Sequence, residues 1–181
     1  MINVEEYAPG PARGAEVRKD GEEWTLILVR ELRHSPEKVW RALTEPAHLR
    51  EWAPFDVDGD LTKTGNTVRL TWVGNPKAFE TRVTRVDAPR VLEFGQHRWE
   101  LEALDPGTRL TLWTNIDRRF MAWGAAGWHI AFDVLDRLLS GTPIGRLAGA
   151  DAMKFEPWQR LTVEYAKQFG VETPKWPGQK S

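Results

Sequence analysis

Four histidines, a run of alternating aspartates and an arginine pair are the residues of this chain whose types could do chemistry. His34, His48, His97 and His129 could carry protons near neutrality or bind a metal ion. They are scattered, and no H-x-x-x-H spacing exists, so neither a metal nor another cofactor is expected. In FDVDGDL, Asp56, Asp58 and Asp60 alternate like the start of a calcium loop, but Leu61 stands where that loop needs glycine and Thr67 where it needs a bidentate glutamate. A solvated loop is the simpler reading. Arg118-Arg119 reads as exposed charge at a strand-helix junction. The motifs that cradle phosphate or mount a nucleophilic serine do not occur, and without cysteine there is no thiol nucleophile, thiolate metal site or disulfide.

His97 is the most informative of the four histidines. It stands two residues before Trp99, so both side chains share one face of a strand, and a cavity that receives one receives the other. The competing reading is a satisfied histidine at a sheet edge. His129 falls beside Asp133, Asp136 and Arg137 on the polar side of a long helix, a side expected to see water, which makes His129 a solvated or helix-packing residue. No constellation in the chain demands catalysis, and no catalytic residue is assigned.

Ten tryptophans against two tyrosines form the other chemical signature. Trp52 ends a short helix, Trp72, Phe94, Trp99 and Trp113 lie on strands, and Trp128 and Phe132 lie on the apolar stripe of the long helix. Such rings fill a core or wall a pocket for a flat or oily molecule, and their number does not choose between the two.

The elements that must position these residues are marked by local signals. WTLILVREL, from Trp24, is rich in β-formers and predicts a strand. Ser35 as N-cap and Pro36 as first helical residue predict a short helix, and Pro46 opens a second that runs to Trp52. A series of strands follows, TVRLTWV, KAFETRVTRV, VLEF, HRWELEAL and TRLTLWTNI, joined by turns at Gly-Asn-Pro and Asp105-Pro106-Gly107. Their pairing is expected to be local and antiparallel. Residues 121–139, around GAAGWHIAFDVLDRLLSG, then predict a helix of about 28 Å, and WQRLTVEYAKQF predicts a last helix closed by Gly170.

The whole reads as one α+β domain over residues 23–170, preceded by an arm (1–22) that could add an edge strand and followed by a frayed, flexible tail (171–181). A net charge of -1 leaves no field to draw nucleic acid or an anionic membrane, and no segment is apolar enough to span a bilayer. Residence in the cytoplasm is expected. Self-association into a homodimer through a sheet edge or a tryptophan patch fits the pattern, with no stoichiometry implied.

In element order, and in the segments SPEKVWRALTEPAHLREW, RWELEALDPGTRLTLWTNI and GAAGWHIAFDVLDRLLSG, the chain resembles the START/Bet v1-like (SRPBCC) superfamily. Within it, the Gly-Trp-His opening of the long helix resembles the branch related to the activator of Hsp90 ATPase. The resemblance implies a helix-grip fold, a curved antiparallel sheet wrapped around the long helix, with a cavity between them. Its walls would be Trp52, Phe55, Trp72, Phe94, Trp99, Trp113, Trp128 and Phe132, with Trp52 and Phe55 near the entrance and Arg82 and His97 as polar anchors. Three functions are compatible with it. The first is a binding protein for a small apolar or aromatic molecule. The second is a co-chaperone-like module for a protein partner, with an exposed patch around Trp24, Trp158 or Trp176. The third is a polyketide cyclase-like enzyme using His97 with Glu80 or Arg82.

Overall fold

Local capping starts the first helix where the sequence places it. In the computed structural model, which describes residues 7–181, Ser35 accepts a hydrogen bond from the Lys38 amide and Pro36 stands at the first turn of α1 (Pro36–Thr44). Pro46 opens α2 (Pro46–Trp52) one residue later. Both helices follow β2 (Glu23–Leu32), which is itself preceded by β1 (Ala15–Asp20). The arm thus carries an edge strand, antiparallel to β2.

Six further strands follow: β3 (Phe55–Asp58), β4 (Thr67–Trp72), β5 (Phe79–Asp87), β6 (Val91–Phe94), β7 (His97–Leu104) and β8 (Gly107–Asn115). They join the first two in one open, curved antiparallel sheet of order β1-β2-β8-β7-β6-β5-β4-β3. β3 corrects the reading of FDVDGDL as a loop for its first four residues, the last three remaining in a loop: Phe55 and Val57 are buried while Asp58 is exposed, the alternation of a half-buried strand. Because directly paired residues share a face, the register sorts the side chains. Leu28, Leu112 and Trp99 stand on one face, and Ile27, Trp113 and Arg98 on the other.

The first of these faces receives α3 (Met121–Leu139), entered through a 3-10 turn at Arg118–Phe120. Its polar side is solvated only toward the C-terminal end, where Arg137 is exposed and Asp136 half-exposed; against expectation, the His129 end is covered. α5 (Glu156–Phe169) packs along it, after a short α4 (Gly149–Lys154), so α3 is sandwiched between sheet and helix and even His129 is buried. The end of the chain is also anchored, since Trp176 is buried with its ring edge-on to Trp158 at 5.9 Å.

Candidate functional site

The space between α3 and the sheet, where a ligand cavity was expected, is filled by aromatic rings. Trp99 meets Trp128 at 5.5 Å and Phe132 at 6.2 Å, and Trp52 meets Trp99 at 6.1 Å. Phe55 meets Trp128 at 6.1 Å and Phe94 at 6.0 Å. All five are edge-to-face contacts, the arrangement in which ring quadrupoles attract. Trp52 also donates from Nε1 to the Ala42 carbonyl at 3.0 Å, so its one polar atom is satisfied inside the core. Trp52 and Phe55 are therefore core residues and do not frame an entrance.

What remains open lies at the rim of this cluster, between the β4–β5 pair and the β6–β7 turn. A recess of about 270 Å³ is lined by Leu70, Trp72, Phe79, Thr81, Phe94, Gly95, Gln96 and His97. Its geometry follows from the tight turn that pairs Phe94 with His97. Gly95 takes φ +56° there, and a Cβ at this position would meet Thr81 Oγ1 at 2.5 Å. Only glycine lets the turn press down on β5 in this way.

His97 is the buried polar residue of the recess, 7% exposed. Its ring stacks on Phe94 at 5.5 Å and lies 5.5 Å from Phe55, 5.7 Å from Trp72 and 6.1 Å from Trp128. Nε2 is buried with no hydrogen-bond partner among the described residues. Burial among apolar rings pushes its pKa down to about 4, so the imidazole is neutral at neutral pH. A neutral ring has one donor and one acceptor nitrogen, and leaving either unmet in a core is costly.

Of the expected site residues, Trp52, Phe55, Phe94, His97, Trp99, Trp128 and Phe132 come together in this cluster, and Trp72 closes one side of the recess. Two do not. Arg82 is exposed and pairs with Thr67 on the outer face, since the inward residues of β5 are Thr81 and Val83. Trp113 also faces outward, under the Arg98 guanidinium at 5.1 Å. The recess residues that sequence reasoning missed are Leu70, Phe79, Thr81, Gly95 and Gln96; the signal for Thr81 was Val83, which shares its face.

A second cluster sits under α5. Asp133 accepts from Tyr7 and from Arg30, and Tyr165 Oη lies 2.7 Å from His129 Nδ1 while bonding both the N–H (3.2 Å) and C=O (2.9 Å) of Arg13. Burial also lowers the His129 pKa to about 4, opposed by the nearby Asp133 carboxylate. These groups satisfy one another and fasten the segment before β1 to α3 and α5. A larger hollow of about 430 Å³, near Trp24 and Asn115, is lined by both signs of charge, and Lys19 and Arg118 cover its Trp24 ring. It reads as solvated surface.

With this geometry, comparison with known proteins decides the family. The family model described as activator of Hsp90 ATPase homolog 1-like protein matches residues 33–140, more than half of the chain. The chain belongs to this family. The family lies within the SRPBCC superfamily, and the curved sheet gripping α3 is its helix-grip fold. No curated protein matches the chain. Among solved structures, CalU16 from Micromonospora echinospora is 22% identical over 88% of this chain and 98% of its own, with a TM-score of 0.61. A protein from Mesorhizobium loti is 24% identical over 65% and 98%, at 0.57. DynU16, from the dynemicin biosynthetic locus, is 23% identical over 69% and 51%, at 0.59. At these identities the likeness concerns fold alone. Among the described residues no helix is long and apolar enough to cross a membrane.

Proposed function

We propose that this member of the family is a cytoplasmic binding protein that holds a small apolar or aromatic molecule in the recess beside His97. One observation carries the reading: a buried imidazole nitrogen without a partner borders an apolar hollow. Pockets for small molecules have this makeup, apolar walls with a few placed polar groups. Catalysis has less support. An imidazole held near 4 is a weak base at neutral pH, and Glu80 and Arg82 are exposed on β5 and do not line the recess. The docking alternative has less support as well, because Trp158 and Trp176 are buried and Trp24 is half-buried with Lys19 and Arg118 over its ring.

Native mass spectrometry of freshly purified protein tests the reading. A retained mass that is released by solvent extraction and is lost in Trp72→Ala supports it. A bare chain, with no thermal stabilisation by a panel of fatty acids and aromatic compounds, contradicts it.

A further inference from the structure

The chemistry of the recess lining says more than that it is apolar. Three of its lining residues, Thr81, Gln96 and His97, have side chains able to form hydrogen bonds, and none of its lining residues is charged. Arg98 and Glu93, the nearest charges on β6 and β7, pair with each other on the opposite face of the sheet, 3.3 Å apart. A carboxylate entering the recess would leave water and find no cation, a cost that one neutral hydrogen bond does not offset. A hydroxyl is different, because hydroxyl, amide and neutral imidazole can each both donate and accept.

Size and shape narrow the class further. A dry cavity of about 150 Å³ accepts a single benzene ring, so a recess of about 270 Å³ has room for two fused rings. The rings of Trp72 and Phe94 bound it, and Phe79, 46% exposed, stands at its mouth. Flat walls of this kind favour a flat occupant.

We propose that the recess selects an uncharged, two-ring aromatic molecule bearing a hydroxyl group, with the His97 imidazole as its hydrogen-bond partner, and rejects the corresponding carboxylate. The inference rests on the recess being a binding site. It adds a selectivity that the site reading alone does not require.

The experiment compares 2-naphthol, naphthalene and 2-naphthoate at pH 7, by calorimetry or by competition with a fluorescent naphthol, on the wild type and on His97→Phe. The expected order is 2-naphthol tightest, naphthalene about tenfold weaker for the lost hydrogen bond, and 2-naphthoate on the order of 100-fold weaker or undetectable. His97→Phe keeps a ring in place and should bring naphthol and naphthalene within about twofold of each other. Should that variant fail to fold, the wild-type order with Thr81→Val and Gln96→Leu as controls still decides. Naphthoate binding as tightly as naphthol overturns the selectivity and leaves the recess as a site. Equal binding of naphthol and naphthalene to the wild type overturns the role of His97. If none of the three binds, the binding-site reading fails along with the proposal.

Discussion

At the scale of single residues, burial of two imidazoles ties stability to pH. His97 and His129 are both held down at about 4, well below the usual 6.5. Between those values the unfolded chain takes up protons that the folded chain refuses. Each histidine therefore contributes stability that is fully present above about pH 6.5 and is lost as pH falls toward 4, at up to about 1.4 kcal/mol per pH unit. Urea midpoints should be flat from pH 8 to 7 and fall steeply below 6.5. In His97→Phe that slope should be shallower by about one proton; an unchanged slope would mean that His97 titrates normally. Gly95→Ala is a second test at this scale. With φ at +56° and Thr81 Oγ1 in the path of a Cβ, it should cost at least about 1–2 kcal/mol in denaturant unfolding and weaken any ligand of the recess.

At the scale of elements, one phenol ties the segment before β1 to both α3 and α5. Tyr165 bonds His129 on α3 and both backbone groups of Arg13, so Tyr165→Phe takes this partner from a buried imidazole nitrogen and from the Arg13 N–H and C=O. A loss of about 1–3 kcal/mol is expected, with faster amide exchange along residues 12–18. Equal exchange in the two proteins would argue against the latch. This contact also shows where sequence reasoning stops. Ser35, Pro36 and Pro46 placed two helices because capping chemistry is local. The burial of His129 was not legible, since the partner that covers it lies on another element and a histidine beside Asp133, Asp136 and Arg137 looks like part of a solvated face. β3 was hidden because three aspartates in seven residues outweigh Phe55 and Val57.

At the scale of the whole molecule, the aromatic residues divide between two tasks. The fold was legible from element order, and seven of the ten expected site residues do lie in one cluster with Trp72 at its rim. The division of that cluster into filled core and open recess was not, because it depends on how completely rings interlock in three dimensions. Arg82 was misplaced for a related reason: a one-residue change in facing moves a side chain across the sheet. If the division is right, the two parts separate by mutation. Trp99→Ala should cost about 3–5 kcal/mol, roughly 10 °C in Tm, as a fully buried ring is removed. Trp72→Ala, at the half-buried rim, should cost less and yet weaken binding of an aromatic probe more. The most direct measurement is a chemical-shift map of the labelled protein titrated with 2-naphthol. The account predicts that shifts concentrate at Thr81, Gly95, Gln96, His97 and the Trp72 indole, while the Trp52 and Trp99 indoles stay in place. Larger shifts at Trp99, Leu112 and Phe132 would contradict it, by placing the ligand between the sheet and α3.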